Sequence, residues 1–374
     1  MASVPPPTFP DYGGACLSSL VPALLAPPGE RPGWLPAPVA AARQVVLLVL
    51  DGLGWRQLAE RRALVPALAA MAGGPITSVA PTTTATALTS ITSGVTPAEH
   101  GVVGYRLRVD GPGGEEVLNV LRWATASGDA REWAPPATFS AGRPFAGRPV
   151  PVVSRAAFGG SGFSEAHLRG GIARPWHLPS GMAVEVRAAL GEGAPLVYAY
   201  YDGVDKIAHL TGVGAHYEAE LRWADRLVAD VVAALPPGAA LAVTADHGQV
   251  DVGARVAPLD TGVLDGVRLI SGEARFRWLH ARPGAVGDVR AAAEARYGGE
   301  AWVRTVDELD AEGWYGGRLG ATARARLGDV AVVPSEPVGY LDPGDRNEAR
   351  LVCRHGSLTA DEVLVPLLGA GTGG

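Results

Sequence analysis

Three apolar runs, each leading into metal-ligand residue types, constrain this chain most. Val45-Val46-Leu47-Leu48-Val49-Leu50 ends at Asp51, Leu196-Val197-Tyr198-Ala199-Tyr200-Tyr201 precedes Asp205 and His209, and Leu241-Ala242-Val243-Thr244-Ala245 ends at Asp246-His247. Unbroken runs of this kind suit strands buried on both faces of a parallel sheet. Between them, residues 56–72 and 217–235 have helical spacing, with Leu221, Ala224, Leu227, Val228 and Val231 on one stripe. Strand–helix alternation predicts an α/β fold, a three-layer α/β/α sandwich with a largely parallel central sheet. Ligands in such sheets lie outside the carboxyl ends of the strands, where Asp51, Asp205, Asp246 and His247 fall.

Residues 1–42 are rich in Pro, Gly and Ala. They predict an extended arm laid on the surface, with a short helix near 17–25. Residues 43–370 read as one domain, with insertions at about 106–190 and 256–345 where no motif is found. A short strand is expected at 76–80. A helix is expected from Thr84 to Ser93, ended by Gly94 and Pro97. Loops with a few strands are expected over 106–190, a helix at 286–297, and a closing turn or short helix at 358–368.

The net charge is −6 and Lys206 is the sole lysine of the 374 residues, which argues against a partner as long and polyanionic as nucleic acid. A small anionic partner is compatible with that charge, because bound metal ions supply positive charge locally. Cys16 and Cys353 occupy no metal-box spacing and read as two separate reduced thiols. No basic segment precedes an apolar one at the N-terminus, and no apolar run approaches the ~20 residues of a membrane span. A cytoplasmic protein without a membrane partner is the expectation; nothing in the sequence sets its oligomeric state.

The polar residues at the strand ends each have a plain reading and a chemical one. Asp205 and His209 stand four apart, so on a helix both reach one ion, although a surface Asp–His contact has the same spacing. Asp51 fits a helix N-cap as well as a metal ligand. Asp246-His247-Gly248 is more specific, since a strand-end turn explains the Asp and the Gly but not the His. His355 alone fits a structural hydrogen-bonding residue. Taken together, three carboxylates and three imidazoles fill two zinc sites of three protein ligands each, while manganese tolerates the oxygen-rich half. Pro81-Thr82-Thr83-Thr84 adds hydroxyls. A threonine hydroxyl is a poor nucleophile at neutral pH unless zinc lowers its pKa. Thr84 also opens a helix whose free N–H groups favour phosphate, and N-capping accounts for one or two of the three threonines.

These motifs resemble the alkaline phosphatase superfamily in its nucleotide pyrophosphatase/phosphodiesterase branch. The resemblance rests on Asp51, Pro81-Thr82-Thr83-Thr84, Ser93-Gly94, Pro97-Ala98-Glu99-His100-Gly101, Asp205/His209, Asp246-His247-Gly248 and His355-Gly356. It covers roughly 44–105, 195–250 and 350–368 and implies an alkaline phosphatase-like fold. It implies Thr84 as the nucleophile, one zinc on Asp205, His209 and His355, and another on Asp51, Asp246 and His247. Two departures bear on substrate. Tyr105 stands where the family often has a phosphoryl-binding Asn, and Ala85 replaces the aromatic residue that comes after the nucleophile.

The implied activity is a two-zinc phosphohydrolase on a small phosphate ester, foremost a phosphodiesterase with a covalent phospho-threonine intermediate. A monoesterase, a phosphonate hydrolase or a mutase uses the same site, and Arg106, Arg108 and Arg122 are candidates to read the extra charge of a monoester. A sulfatase is disfavoured because neither cysteine has the required neighbours. A catalytically silent metal-binding protein is the alternative of another class, and the intact ligand set argues against it.

Overall fold

The computed structural model describes residues 4–345 and 348–372. Residues 1–3 of the N-terminal arm lie outside that range. The strand Gln44–Leu50 is buried on both faces from Val45 onward, and Leu196–Tyr201 and Ala239–Thr244 are buried throughout. Successive side chains of a strand point to opposite faces, so this burial requires cover on both sides of the sheet. Met182–Gly191 and Pro66–Ala70 pack on the long helix Ala215–Ala234, while Leu17–Leu25 packs on Thr84–Ser93. The result is the expected three-layer α/β/α arrangement.

The central sheet has seven strands in the order Ala72–Thr77, Leu364–Gly371, Ala239–Thr244, Gln44–Leu50, Leu196–Tyr201, Pro151–Arg155, Ile172–Trp176. Pairings from Ala239–Thr244 to Ile172–Trp176 are parallel, and Leu364–Gly371 runs antiparallel to both of its neighbours. The register sets Val49 opposite both Thr244 and Tyr200. Three parallel strands therefore end at one level, and the segments leaving them converge.

Several elements differ from the expectation, each for a physical reason. The strand expected at 76–80 lies at Ala72–Thr77 and includes Gly73, Gly74 and Pro75. It is a sheet edge, where proline is tolerated because one side needs no N–H donor, and Pro75 faces Pro366. Residues 358–368 are not only a turn or short helix. After the short helix Ala360–Val363 the chain enters the strand Leu364–Gly371. Residues 56–72 form two short helices, Trp55–Glu60 and Pro66–Ala70, separated before Pro66, whose ring cannot continue a helix. The N-terminal arm does not merely lie on the surface: Leu17, Leu20, Val21 and Leu24 are buried. A Cβ on Gly369 would stand 2.6 Å from Pro36, so the arm also seats closely on the sheet.

Residues 151–176 supply two strands of the central sheet. Earlier in the chain, Arg106–Asp129 forms a separate four-stranded sheet built on the hairpin of Arg106–Gly111 and Gly114–Asn119. A second satellite pairs Val267–Glu273, Phe276–Ala281, Val330–Pro334 and Ala301–Thr305, with the helix Val286–Tyr297 over its own apolar cluster of Val289, Ala293, Val303 and Val332. Both cysteines are buried and free. Among the described residues, no helix is long and apolar enough to cross a membrane.

A buried ion pair ties the second satellite to the main sheet. Arg275 donates from Nε and Nη2 to the two carboxylate oxygens of Glu362 at 2.7 Å, and both side chains are fully buried. Glu362 also accepts from the Ser357 backbone N–H and the Thr359 hydroxyl. Breaking such a pair from one side leaves an uncompensated buried charge, at a cost of about 3–5 kcal/mol. Arg275→Met is therefore expected to lower the urea midpoint sharply. Arg275→Met with Glu362→Leu should recover much of the loss; equal midpoints for the wild type and the single variant would show that the pair is not a clamp.

Candidate active site

Each candidate side chain reaches the site by a local cause. Asp51 is the residue after a fully buried strand, at 3% exposure. Asp205 and His209 lie on one face of the helix Gly203–Thr211, with His209 Nε2 3.3 Å from Asp205 Oδ1. Asp246 and His247 come just after the strand Ala239–Thr244 and are wholly buried. Gly248 is required there because a Cβ would fall 1.9 Å from the Asp361 carbonyl oxygen. His355 arrives on the segment that leads into the antiparallel strand and comes within 3.9 Å of Asp205 Oδ1 through Nε2.

Thr84 opens the helix Thr84–Ser93, whose left-handed Gly94 ends it as the sequence predicts. Thr82 is used differently from Thr84. Its hydroxyl donates to Ser357 O and accepts from the Gly356 N–H, and its carbonyl meets His355 Nδ1 at 2.8 Å. Thr82 thus ties the helix entrance to the His355 segment. Of the remaining motif residues, His100 is buried against Ser90, with Nε2 2.8 Å from the hydroxyl, and its Nδ1 accepts from the Val102 N–H. Its partners are all local and explain it as a structural residue.

The imidazoles share one orientation device. His209 Nδ1 is 2.7 Å from Cys353 O, His247 Nδ1 is 3.0 Å from Gly248 O, and His355 Nδ1 is 2.8 Å from Thr82 O. A carbonyl only accepts, so each Nδ1 carries the proton and each Nε2 presents its lone pair to the site. His247 and His355 stack with ring centroids 3.5 Å apart. Burial, with His247 and His209 beside it, holds His355 well below the usual histidine pKa, so it stays neutral.

The carboxylates are crowded. Thr84 Oγ1, Asp51 Oδ1 and Asp246 Oδ2 lie 3.2, 3.4 and 3.4 Å from His247 Nε2. Asp51 Oδ1 and Asp246 Oδ2 are buried without a hydrogen-bond partner. The other oxygens are satisfied: Tyr200 OH donates to Asp51 Oδ2, and the Gly52 and His247 N–H groups donate to Asp246 Oδ1. Burial, then the charges of Asp246 and Asp205, push the Asp51 carboxyl well above the carboxylate range. Orphaned oxygens facing imidazole lone pairs fit a cation between them. Among the described residues, two groups have ligand atoms close enough to share an ion: Asp205, His209 and His355, and Asp51, Asp205 and His247, with Asp246 beside the second group but not within it. Asp205 thus stands between the two groups, a proximity that the sequence did not indicate.

Two cavities open at Thr84, Asp205 and His209. One, of about 620 Å³, is walled by Leu88, Phe158, Phe163, Leu168 and Leu210. The other, of about 370 Å³, is polar and holds Tyr105, Asn119, Arg122, Glu273 and Arg354. Burial pushes the Tyr105 hydroxyl up to about 12, so it remains a donor at neutral pH. Of the three arginines singled out in the sequence, only Arg122 reaches the cavity. Arg106 pairs with Asp342 and Asp345, and Arg108 with Asp110 and Glu115. Sequence reasoning missed Tyr200, Gln249, Glu273 and Arg354. Gln249, which donates to Asp205 Oδ1, carried a signal in its place directly after Asp246-His247-Gly248.

Known proteins resemble this chain in family and fold. A family model described as Type I phosphodiesterase / nucleotide pyrophosphatase matches residues 45–357. No curated protein sequence matches. Among solved structures, murine ectonucleotide pyrophosphatase / phosphodiesterase 5 is similar at 15% identity and TM-score 0.66, with 88% of each chain covered. An inactive variant of it, in complex with AMP, is similar at TM-score 0.65. Phosphonoacetate hydrolase from Sinorhizobium meliloti 1021 is similar at 19% identity and TM-score 0.60, covering 88% of this chain and 90% of its own.

The crowded carboxylates predict a pH-dependent cost in the metal-free protein. A carboxyl whose folded pKa is raised stabilises the fold at low pH, and that contribution is lost as pH rises through the raised value. EDTA-treated protein should lose stability as pH climbs above the carboxylate range. Asp51→Asn should flatten that loss and melt roughly 2–4 °C higher than wild type at pH 8, the shift about 1 kcal/mol produces in a large domain. With zinc added the order should reverse. A metal-free Asp51→Asn protein no more stable than wild type at pH 8 would show that the aspartate is not strained by its neighbours.

Proposed function

Because the chain belongs to the type I phosphodiesterase / nucleotide pyrophosphatase family, we propose that it is a two-zinc phosphodiesterase with Thr84 as its nucleophile. The observation that carries this reading is the convergence of Thr84 Oγ1, Asp51 Oδ1 and Asp246 Oδ2 on His247 Nε2 within 3.2–3.4 Å. Asp205, His209 and His355 would hold one ion, and Asp51, Asp246 and His247 the other. The donor set suits zinc, with manganese as a weaker fit to the carboxylate-rich half. Bound zinc supplies Lewis acidity, lowering the pKa of a hydroxyl or water beside it and offsetting charge on the phosphoryl oxygens.

The chain's own residues do the rest. The Thr84 side chain, 9% exposed, is restrained at the start of its helix. The first N–H groups of that helix lack intrahelical acceptors and favour a phosphoryl oxygen. Thr84 Oγ gives up its proton to solvent and attacks phosphorus, the bond to one ester oxygen breaks, and that oxygen takes a proton from solvent and leaves as an alcohol. Water then attacks the phospho-threonine, releasing a monoester and restoring the hydroxyl. The three Nδ1–H···O=C bonds keep the imidazoles facing inward through both halves. Tyr105, protonated at neutral pH, lines the smaller cavity and would donate to the substrate there.

Two cavities meeting at Thr84 favour a diester over a monoester. A diester has two substituents to place, and two cavities with different linings both open at Thr84. A small nucleotide-like or related phosphate ester is the substrate class this supports.

The test pairs two substrates and one variant. Zinc-loaded protein should show a higher kcat/KM on a nucleoside 5′-(p-nitrophenyl phosphate) than on p-nitrophenyl phosphate. Thr84→Ala should lose more than about 1000-fold in kcat while its zinc content by mass spectrometry stays near that of wild type. A preference for the monoester would move the assignment to a phosphatase, and full activity in Thr84→Ala would remove the nucleophile.

A further inference from the structure

Among the buried polar groups that line the 620 Å³ cavity, Tyr198 and His167 are not used by the reaction, and His167 is the one with a fixed ring plane. His167 lies in the last turn of the helix Gly162–Leu168, lines that cavity, and is only 5% exposed. Its Nδ1 stands 2.6 Å from the Phe163 carbonyl oxygen, so Nδ1 carries the proton. Its ring stacks on Phe163 with centroids 4.0 Å apart and an 18° tilt, which fixes the plane of the imidazole. Burial lowers its pKa to about 4, so it is neutral at physiological pH. Nε2 is then a lone-pair acceptor, and among the described residues nothing donates to it.

The walls around it narrow the chemistry. Phe158 and Phe163 give flat aromatic surface beside Leu88, Leu168 and Leu210, while Ser161, Ser164 and Lys206 also line the cavity. A cavity of this size takes a ring system of one or two rings. Resting on the diesterase reading above, we propose that His167 Nε2 accepts a hydrogen bond from an N–H or O–H on a flat, largely apolar substituent of the substrate. His167 is thereby a specificity-determining residue, remote from the reacting atoms.

The experiment compares thymidine 5′-(p-nitrophenyl phosphate), whose base carries one ring N–H, with its N3-methyl derivative. Zinc-loaded wild type should favour the N–H substrate by roughly tenfold, mainly through KM, the low end of what leaving a buried polar group unpaired costs. His167→Phe keeps the stacking surface without the acceptor and should bring the two substrates level. His167→Gln, which restores an acceptor, should regain part of the preference. Equal KM values in wild type, or an undiminished preference in His167→Phe, would overturn the assignment of His167 and leave the diesterase reading intact. Turnover of p-nitrophenyl phosphate with neither diester touched would overturn the diesterase reading itself, and this inference with it.

Discussion

The mutual repulsion of buried carboxylates at the ends of adjacent parallel strands is the constraint on which the rest depends. Asp51 and Asp246 lie just past neighbouring strands in register, and Asp205 lies past the third by one helical turn. Parallel pairing leaves no freedom to stagger them, because slipping one strand by a residue would turn its apolar side chains to the wrong face. The carboxylates must therefore be accommodated where they are. The chain meets part of that need with Tyr200 on Asp51, backbone N–H groups on Asp246 and Gln249 on Asp205. One oxygen of Asp51 and one of Asp246 are left without a donor among the described residues, and Asp51 shares a candidate ion-binding group with Asp205 and His247.

The other half of the site depends on a long-range tether. His355 lies far from the parallel strands in sequence and reaches them because the next segment enters the sheet antiparallel, with Leu367 opposite Thr244. Its loop is held from two sides. Thr82 binds Gly356 and Ser357 from the entrance of the helix Thr84–Ser93, and Glu362, clamped by Arg275, binds Ser357 from the satellite sheet. Placement of one imidazole thus draws on three separate parts of the fold. That gives a positional role to a fully buried Arg–Glu pair that apolar residues would replace at similar stability.

The parts of the protein legible in its sequence are those where one pattern has one physical meaning. An unbroken run such as Val45–Leu50 can be satisfied only inside a sheet covered on both faces, and the residues just past such runs gather at the sheet edge. The edge strands were not legible. Ile172–Trp176 is mostly exposed and includes Pro175. Ala72–Thr77 contains three residues that ordinarily mark turns, and they fit only because Leu364–Gly371 pairs beside them. Leu364–Gly371 was obscured by Pro366 and Gly369, the latter kept small by the packing of Pro36. Glu273 and Arg354 were beyond reach for another reason, since each enters the polar cavity through tertiary packing that no local pattern encodes.

The segments least constrained by the sheet wall the larger cavity. In this chain the residue after Thr84 is Ala85, fully buried in the helix core, so the helix Thr84–Ser93 contributes no aromatic surface at that position. Aromatic surface in the cavity that Thr84 lines comes instead from Phe158 and Phe163, on the connection between the two outermost parallel strands, and Phe158 packs against Tyr200, whose hydroxyl holds Asp51. The apolar cavity is therefore braced on the same tyrosine that orients a carboxylate of the site. A change in that connection can reshape the cavity without touching the strand ends, because the carboxylates and imidazoles are fixed by sheet register and backbone carbonyls. A fold organised this way can keep one chemistry while its substrate changes.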